Sequence, residues 1–104
     1  MDKKELIKKL KIFKRKIEKK YNIDKMILFG SRAEGRIHKN SDVDLILIGK
    51  FKGKNNLQRA PPLYIEWNLD LPVDFLCYTP TEFRKLSKMI SIVSESLKKG
   101  IIIE

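Results

Sequence analysis

The sequence holds one cysteine, Cys77, and one histidine, His38, among 104 residues. A single thiol excludes an internal disulfide, and one thiol with one imidazole excludes a Cys/His zinc site built from one chain. Cys77 stands in an apolar stretch and reads as a small core residue. His38 stands between polar neighbours and reads as a loop residue. No apolar run approaches the roughly 20 residues that span a bilayer. The opening Met1-Asp2-Lys3-Lys4-Glu5 lacks the apolar centre of a signal peptide. The expected location is therefore the cytoplasm, with no membrane role. With five glycines and four prolines, nothing resembles a flexible linker, so residues 1–104 read as a single domain with one modest core. Acidic residues are outnumbered 13 to 23 by Lys and Arg, for a net charge of +10. That balance suits contact with nucleic acid, a nucleotide or an acidic protein. Most of the excess is lysine on helical faces, which admits nucleic acid as a partner without favouring it.

Apolar periodicity sets out the elements. Leu6, Leu10, Phe13 and Ile17 recur at helical spacing between Lys3 and Lys20, and the remaining positions there carry ten basic and two acidic residues. Tyr21-Asn22 breaks that helix. Lys25 to Phe29 is a short apolar run ending at Gly30, and it reads as a buried strand. Val43 to Ile48 reads as a central strand with Asp42, Asp44, Ile46 and Ile48 on one face and Val43, Leu45 and Leu47 on the other. Gly49 to Asn56 reads as the most mobile loop. A helix beginning at Pro62 is expected to run through Ile65 and Trp67. Val73 to Tyr78 reads as a third strand, with Asp74, Leu76 and Tyr78 on one face. Thr79-Pro80-Thr81-Glu82 is a capping box with proline at the first helical position. A stripe through Phe83, Leu86, Ile90, Val93 and Leu97 follows, with a break near Ser87 to Ser91. Ile101 to Ile103 reads as a final short strand. The expected fold class is α/β (α+β): a small mixed sheet of about four strands flanked by helices.

Three aspartates carry the chemistry. Asp-Val-Asp on a strand sends two carboxylates to one side, and Asp74 on a later strand adds a third. Three carboxylates in one site repel each other unless a divalent cation neutralises them. Oxygen ligands of this kind suit Mg²⁺, which is held by one or two carboxylates together with substrate phosphates. In two-metal sites such ligands clamp attacking and leaving oxygens. Asp74 is also placed to accept the proton of an attacking hydroxyl. Gly30 lets the backbone approach a phosphate closely, and Ser31 adds a hydroxyl and backbone N–H donors. Arg32 and Arg36, with Lys39 nearby, supply positive charge for a triphosphate. No GxxxxGK[ST] occurs, so this is not a Walker P-loop.

The stretch GSRAEGRIHKNSDVDLILIG resembles the signature of the DNA polymerase β-like nucleotidyltransferases: Gly-Ser, a spacer, then Asp-x-Asp. In length the chain resembles their smallest branch, the minimal nucleotidyltransferases. The signature covers Met26 to Ile48, and Asp74 matches the third carboxylate. The resemblance implies the nucleotidyltransferase fold, with Gly30 and Ser31 holding the nucleoside triphosphate. It further implies that Asp42, Asp44 and Asp74 bind two Mg²⁺ ions. The implied reaction moves AMP from ATP to a hydroxyl. Larger relatives add a helical domain for the acceptor, so here the acceptor is expected on another chain or in an open groove. Minimal nucleotidyltransferases are often paired with a small helical HEPN protein. In those toxin–antitoxin systems they act as the antitoxin that modifies a tyrosine of the HEPN ribonuclease. Two alternatives stand beside this expectation. One is an antitoxin or binding module acting by contact, with vestigial catalysis. The other is a nucleotidyltransferase acting on RNA or a small molecule.

Overall fold

A computed structural model describes residues 2–34, 42–89, 94 and 98–104. The sequence expectations for Arg36, His38, Lys39, Ser41, Ile90, Val93 and Leu97 fall outside them. Helix α1 (Lys3–Ile17) starts where Asp2 caps it by accepting the N–H of Glu5, and it buries Leu6, Leu10, Phe13 and Ile17. Asn22 then takes a left-handed φ of 54°, the break that lets β1 (Ile23–Phe29) set off. Strand β2 (Val43–Gly49) pairs antiparallel with β1. Strand β3 (Val73–Tyr78) pairs with β2 in parallel, and β4 (Ile101–Ile103) pairs antiparallel with β1. The sheet order is β3-β2-β1-β4. The fold is thus a four-stranded mixed sheet flanked by helices, as the apolar patterning predicts.

A parallel pair needs a crossover, and two short helices supply it. Helix α2 (Asn56–Arg59) is capped by the Asn55 side chain, and α3 (Pro61–Glu66) has proline in its first turn. The helix begins at Pro61 rather than Pro62. Both prolines sit where the first N–H groups lack helical partners anyway, so neither costs a hydrogen bond. Helix α2 itself escapes sequence periodicity because one turn is too short to show a stripe. The segment expected to be most mobile is tied down. The Gly53 carbonyl accepts the Arg59 Nε–H at 2.7 Å, and Lys54 donates its backbone N–H to Gln58 Oε1 at 2.7 Å.

The larger core lies between one sheet face and α1. Val43, Leu45, Leu47, Phe75 and Cys77 meet Leu6, Leu10, Phe13 and Ile17 there. Each such side chain contributes about 1.5–3 kcal/mol through burial. Phe13, Trp67 and Phe75 interlock at the α3 end, with ring centroids 5.0 to 6.0 Å apart. On the opposite face Ile27, Ile46 and Ile48 are buried against Leu76, Tyr78 and two residues of α4 (Pro80–Ser87), Phe83 and Leu86. The predicted capping box of Thr79 and Glu82 is present, and α4 stops at Ser87. Among the described residues no helix is long and apolar enough to cross a membrane.

The outer edge of β3 is closed by side chains. Asn56 donates to the Phe75 carbonyl and accepts the Cys77 N–H, each at 2.8 Å. The Tyr64 hydroxyl accepts the Phe75 N–H, and Arg59 donates to the Cys77 carbonyl. The edge that would otherwise template another strand is thereby blunted.

Candidate functional site

Sheet register assembles the site. Phe29 at the end of β1 lies opposite Asp44 in β2, and Asp44 lies opposite Asp74 in β3. The C-terminal end of β1 and the N-terminal ends of β2 and β3 therefore meet at one rim. Alternation puts Asp44 and Asp74 on the α4 face, beyond Ile46 and Leu76, which α4 helps to cover. Asp42 directly precedes β2.

The turn after β1 brings the backbone to the same rim. Gly30 has a φ of +76°, which glycine adopts without steric cost. Its carbonyl accepts the N–H groups of Ala33 and Glu34, at 3.1 and 3.2 Å, so the chain turns tightly over Ser31 and Arg32. A methyl group at Gly30 would stand 2.5 Å from Asp44 Oδ2. Glycine is thus needed for the turn and for space beside the carboxylate; sequence reasoning foresaw only a close backbone approach. Ser31 is half-buried, and no described residue takes up its N–H or hydroxyl. Those donors point to the kind of anion a phosphate presents. Arg32 is 3% exposed, a buried member of the turn. Arg36 lies outside the described residues.

The three aspartates of the rim bear on one another electrostatically. Burial first, then the negative charges of Asp74 and Asp42, push the Asp44 carboxyl above its usual range. Among the described residues no partner forms an ion pair or hydrogen bond with the carboxylate of any of the three aspartates. Asp42 and Asp74 are both exposed. The Asp74 carboxylate is thus solvated although Val73 and Phe75 on either side of it are apolar. Strand β3 is an edge strand, and its first residues project beyond the covered part of the sheet.

The donor set fits a hard divalent cation: oxygen-only ligands, net negative, beside free phosphate donors. Among the described residues no three carboxylate, thiol or imidazole side chains are already close enough to hold an ion.

Residues 8–102 match the nucleotidyltransferase domain family. The chain belongs to that family. Nucleotidyl transfer is therefore its general reaction class, and the Gly-Ser turn with the three-aspartate rim is its candidate active site. The fold agrees. A protein from Sulfolobus solfataricus, assigned as a nucleotidyltransferase and known from a crystal structure, superposes with a TM-score of 0.66 at 19% identity. The match covers 96% of this chain and 80% of that one. At that identity the likeness speaks for the nucleotidyltransferase fold alone. No curated protein is significantly similar to the chain.

Cys77 is buried, and desolvation pushes its thiol up to about 12, which makes it an inert core residue as expected. Arg59 is 8% exposed and grips Glu82 with two hydrogen bonds, at 2.6 and 3.2 Å. Sequence reasoning missed Arg59, because a lone arginine in a one-turn helix gives no signal of burial.

Proposed function

We propose that this nucleotidyltransferase moves AMP from ATP, with Mg²⁺, to a hydroxyl of a partner protein. The partner proposed is a small helical HEPN-family ribonuclease, which the modification silences, so that this chain acts as its antitoxin. The observation that carries the catalytic reading is the register Phe29–Asp44–Asp74, which sets uncompensated carboxylates beside the Gly30-Ser31 turn. The choice of a protein partner draws on the resemblance to minimal nucleotidyltransferases.

The chain's own residues divide the work. Ser31 offers its N–H and hydroxyl to a phosphate oxygen, and the tight Gly30 turn allows close approach. Asp42, Asp44 and Asp74 would hold Mg²⁺, which when bound supplies charge neutralisation on the triphosphate. Asp74 is exposed, so an acceptor hydroxyl brought by another chain can reach it and surrender its proton to the carboxylate. The acceptor oxygen bonds to the α-phosphorus, the bond from that phosphorus to the bridging oxygen breaks, and pyrophosphate leaves.

The test is transfer of label from α-labelled ATP, with Mg²⁺, to the purified partner ribonuclease. Asp42→Ala/Asp44→Ala protein is expected to lose transfer by roughly a thousandfold, the loss of several kcal/mol of charge stabilisation. Equal labelling by wild type and variant would remove these residues from the mechanism. Labelling of RNA or small hydroxyl compounds in preference to the protein would replace the acceptor class.

A further inference from the structure

Apart from half-buried Lys3, the cations of α1 fall into two groups. Lys9 pairs with Glu5 and Lys14 with Glu18, at 3.9 and 3.6 Å. Lys16, and Lys20 just beyond the helix, both pair with Glu66, at 3.9 and 2.8 Å. Lys4, Lys8, Lys11 and Arg15 are exposed and form no ion pair with any described residue. These four are spaced by four, three and four residues. At about 100° and 1.5 Å per residue they fall within a stripe roughly 60° wide and about 17 Å long. The stripe lies on the side of the helix away from the buried Leu6, Leu10, Phe13 and Ile17. Like charges at these spacings repel, so three successive neighbour pairs along the stripe each destabilise the helix. The ion pairs of Glu5 and Glu18 go to cations off the stripe.

We infer that this stripe is a docking surface for a single-stranded RNA, its four cations contacting a row of phosphates. The inference goes beyond nucleotidyl transfer and stands independently of the acceptor proposed above. A linear polyanion matches a narrow line of like charge, and the net charge of +10 adds long-range attraction. A folded protein partner would need aromatic or apolar anchors at the centre of the contact, where lysine is depleted. Here the exposed apolar residue beside Lys8, Lys11 and Arg15 is Ile12, while Ile7 on the other border packs against the core. A membrane surface would need the apolar face of the helix, which is already spent on the core. Helix α1 packs on the sheet face opposite Asp44 and Asp74, so a strand held there avoids the carboxylates and leaves the rim open.

The experiment is fluorescence anisotropy with a labelled single-stranded RNA across a salt series. Wild type is expected to bind with a log K against log salt slope of about −3, the value for four phosphate contacts on a single strand. The variant Lys4→Gln/Lys8→Gln/Lys11→Gln/Arg15→Gln should bind at least about tenfold more weakly with a flattened slope. A control, Lys9→Gln/Lys14→Gln/Lys16→Gln/Lys20→Gln, removes the same charge from the paired cations and should stay close to wild type. Circular dichroism confirms folding of both, and the wild-type slope is informative without either. Equal weakening by the two variants would reduce the effect to net charge and overturn the stripe. Absence of RNA binding by wild type at low salt would overturn it as well. So would tighter binding to polyglutamate or to phosphatidylserine vesicles than to RNA.

Discussion

Two charged regions adjoin β3, and they are built on opposite terms. At its start, Asp74 stands in register with Asp44, with Asp42 adjacent, and among the described residues no cation answers them. Beyond its end, Glu82 receives a two-pronged grip from Arg59, and the same guanidinium satisfies the carbonyls of Gly53 and Cys77. The Arg59 hydrogen bonds, then the Thr79 N–H, hold the Glu82 carboxyl down at about 2, whereas burial and like charge push Asp44 up. A paired charge ties the crossover helix α2 to α4 and serves the fold. An unpaired set of like charges works against the fold, a cost that the proposed Mg²⁺ would offset.

The sharpest way to break this contrast is to exchange the fates of the two regions. Arg59→Met is expected to cost about 1–3 kcal/mol, chiefly because it leaves the carbonyls of Gly53 and Cys77 without their donor, and to lower Tm by roughly 5–15 °C. Asp44→Asn should leave Tm unchanged or raise it while abolishing nucleotidyl transfer. A thermal melt of both proteins with a transfer assay decides it. An Asp44→Asn protein that melts well below wild type would mean that the rim, too, is structural.

A smaller effect is expected at Gly30→Ala. The left-handed φ and the approach to Asp44 Oδ2 together should cost about 1–2 kcal/mol, and transfer should fall as the carboxylate is displaced. Melting and activity measured side by side would show whether the turn and the carboxylate move together. Full activity in the alanine protein would separate them.

The smallest effect is in pH dependence, and its sign differs between the regions. Asp44 titrates above its unfolded value, so the folded protein holds the extra proton. Its penalty is absent in acid and accrues as pH rises through the raised value. Glu82 titrates below its unfolded value, so its contribution is full above about 4.5 and is lost as pH falls toward about 2. Tm against pH for wild type, Asp44→Asn and Glu82→Gln should show these opposite slopes. Mg²⁺ should raise Tm more at neutral pH than at pH 4, because only ionised carboxylates bind it. A Mg²⁺ effect that survives in Asp44→Asn undiminished would place the ion elsewhere.

Much of this was legible before any coordinates. The face of every residue in β2 and β3 followed from alternation, because both strands are apolar on two sides apart from their aspartates. The buried stripe of α1 and the capping box of α4 were equally plain, since both are local patterns. Three matters were not. The exposure of Asp74 depends on β3 being an edge strand, which no property of Val73-Asp74-Phe75 reveals. The pairing of Arg59 with Glu82 joins residues 23 apart along the chain. The role of Asn56 in closing the β3 edge requires knowing which strand lies outermost.

The sequence by itself determined which residue types could do chemistry here and on which face of its own strand each would lie. Spacing and hydrophobic periodicity act within one element, so they can be read along the chain. Only the tertiary structure decided that Phe29, Asp44 and Asp74 share one row, that Gly30 makes room for Asp44, and that α1 presents its unpaired cations on the far side from the rim. Those facts depend on strand order and register, which arise when separate elements bury their faces together. No single segment carries that information.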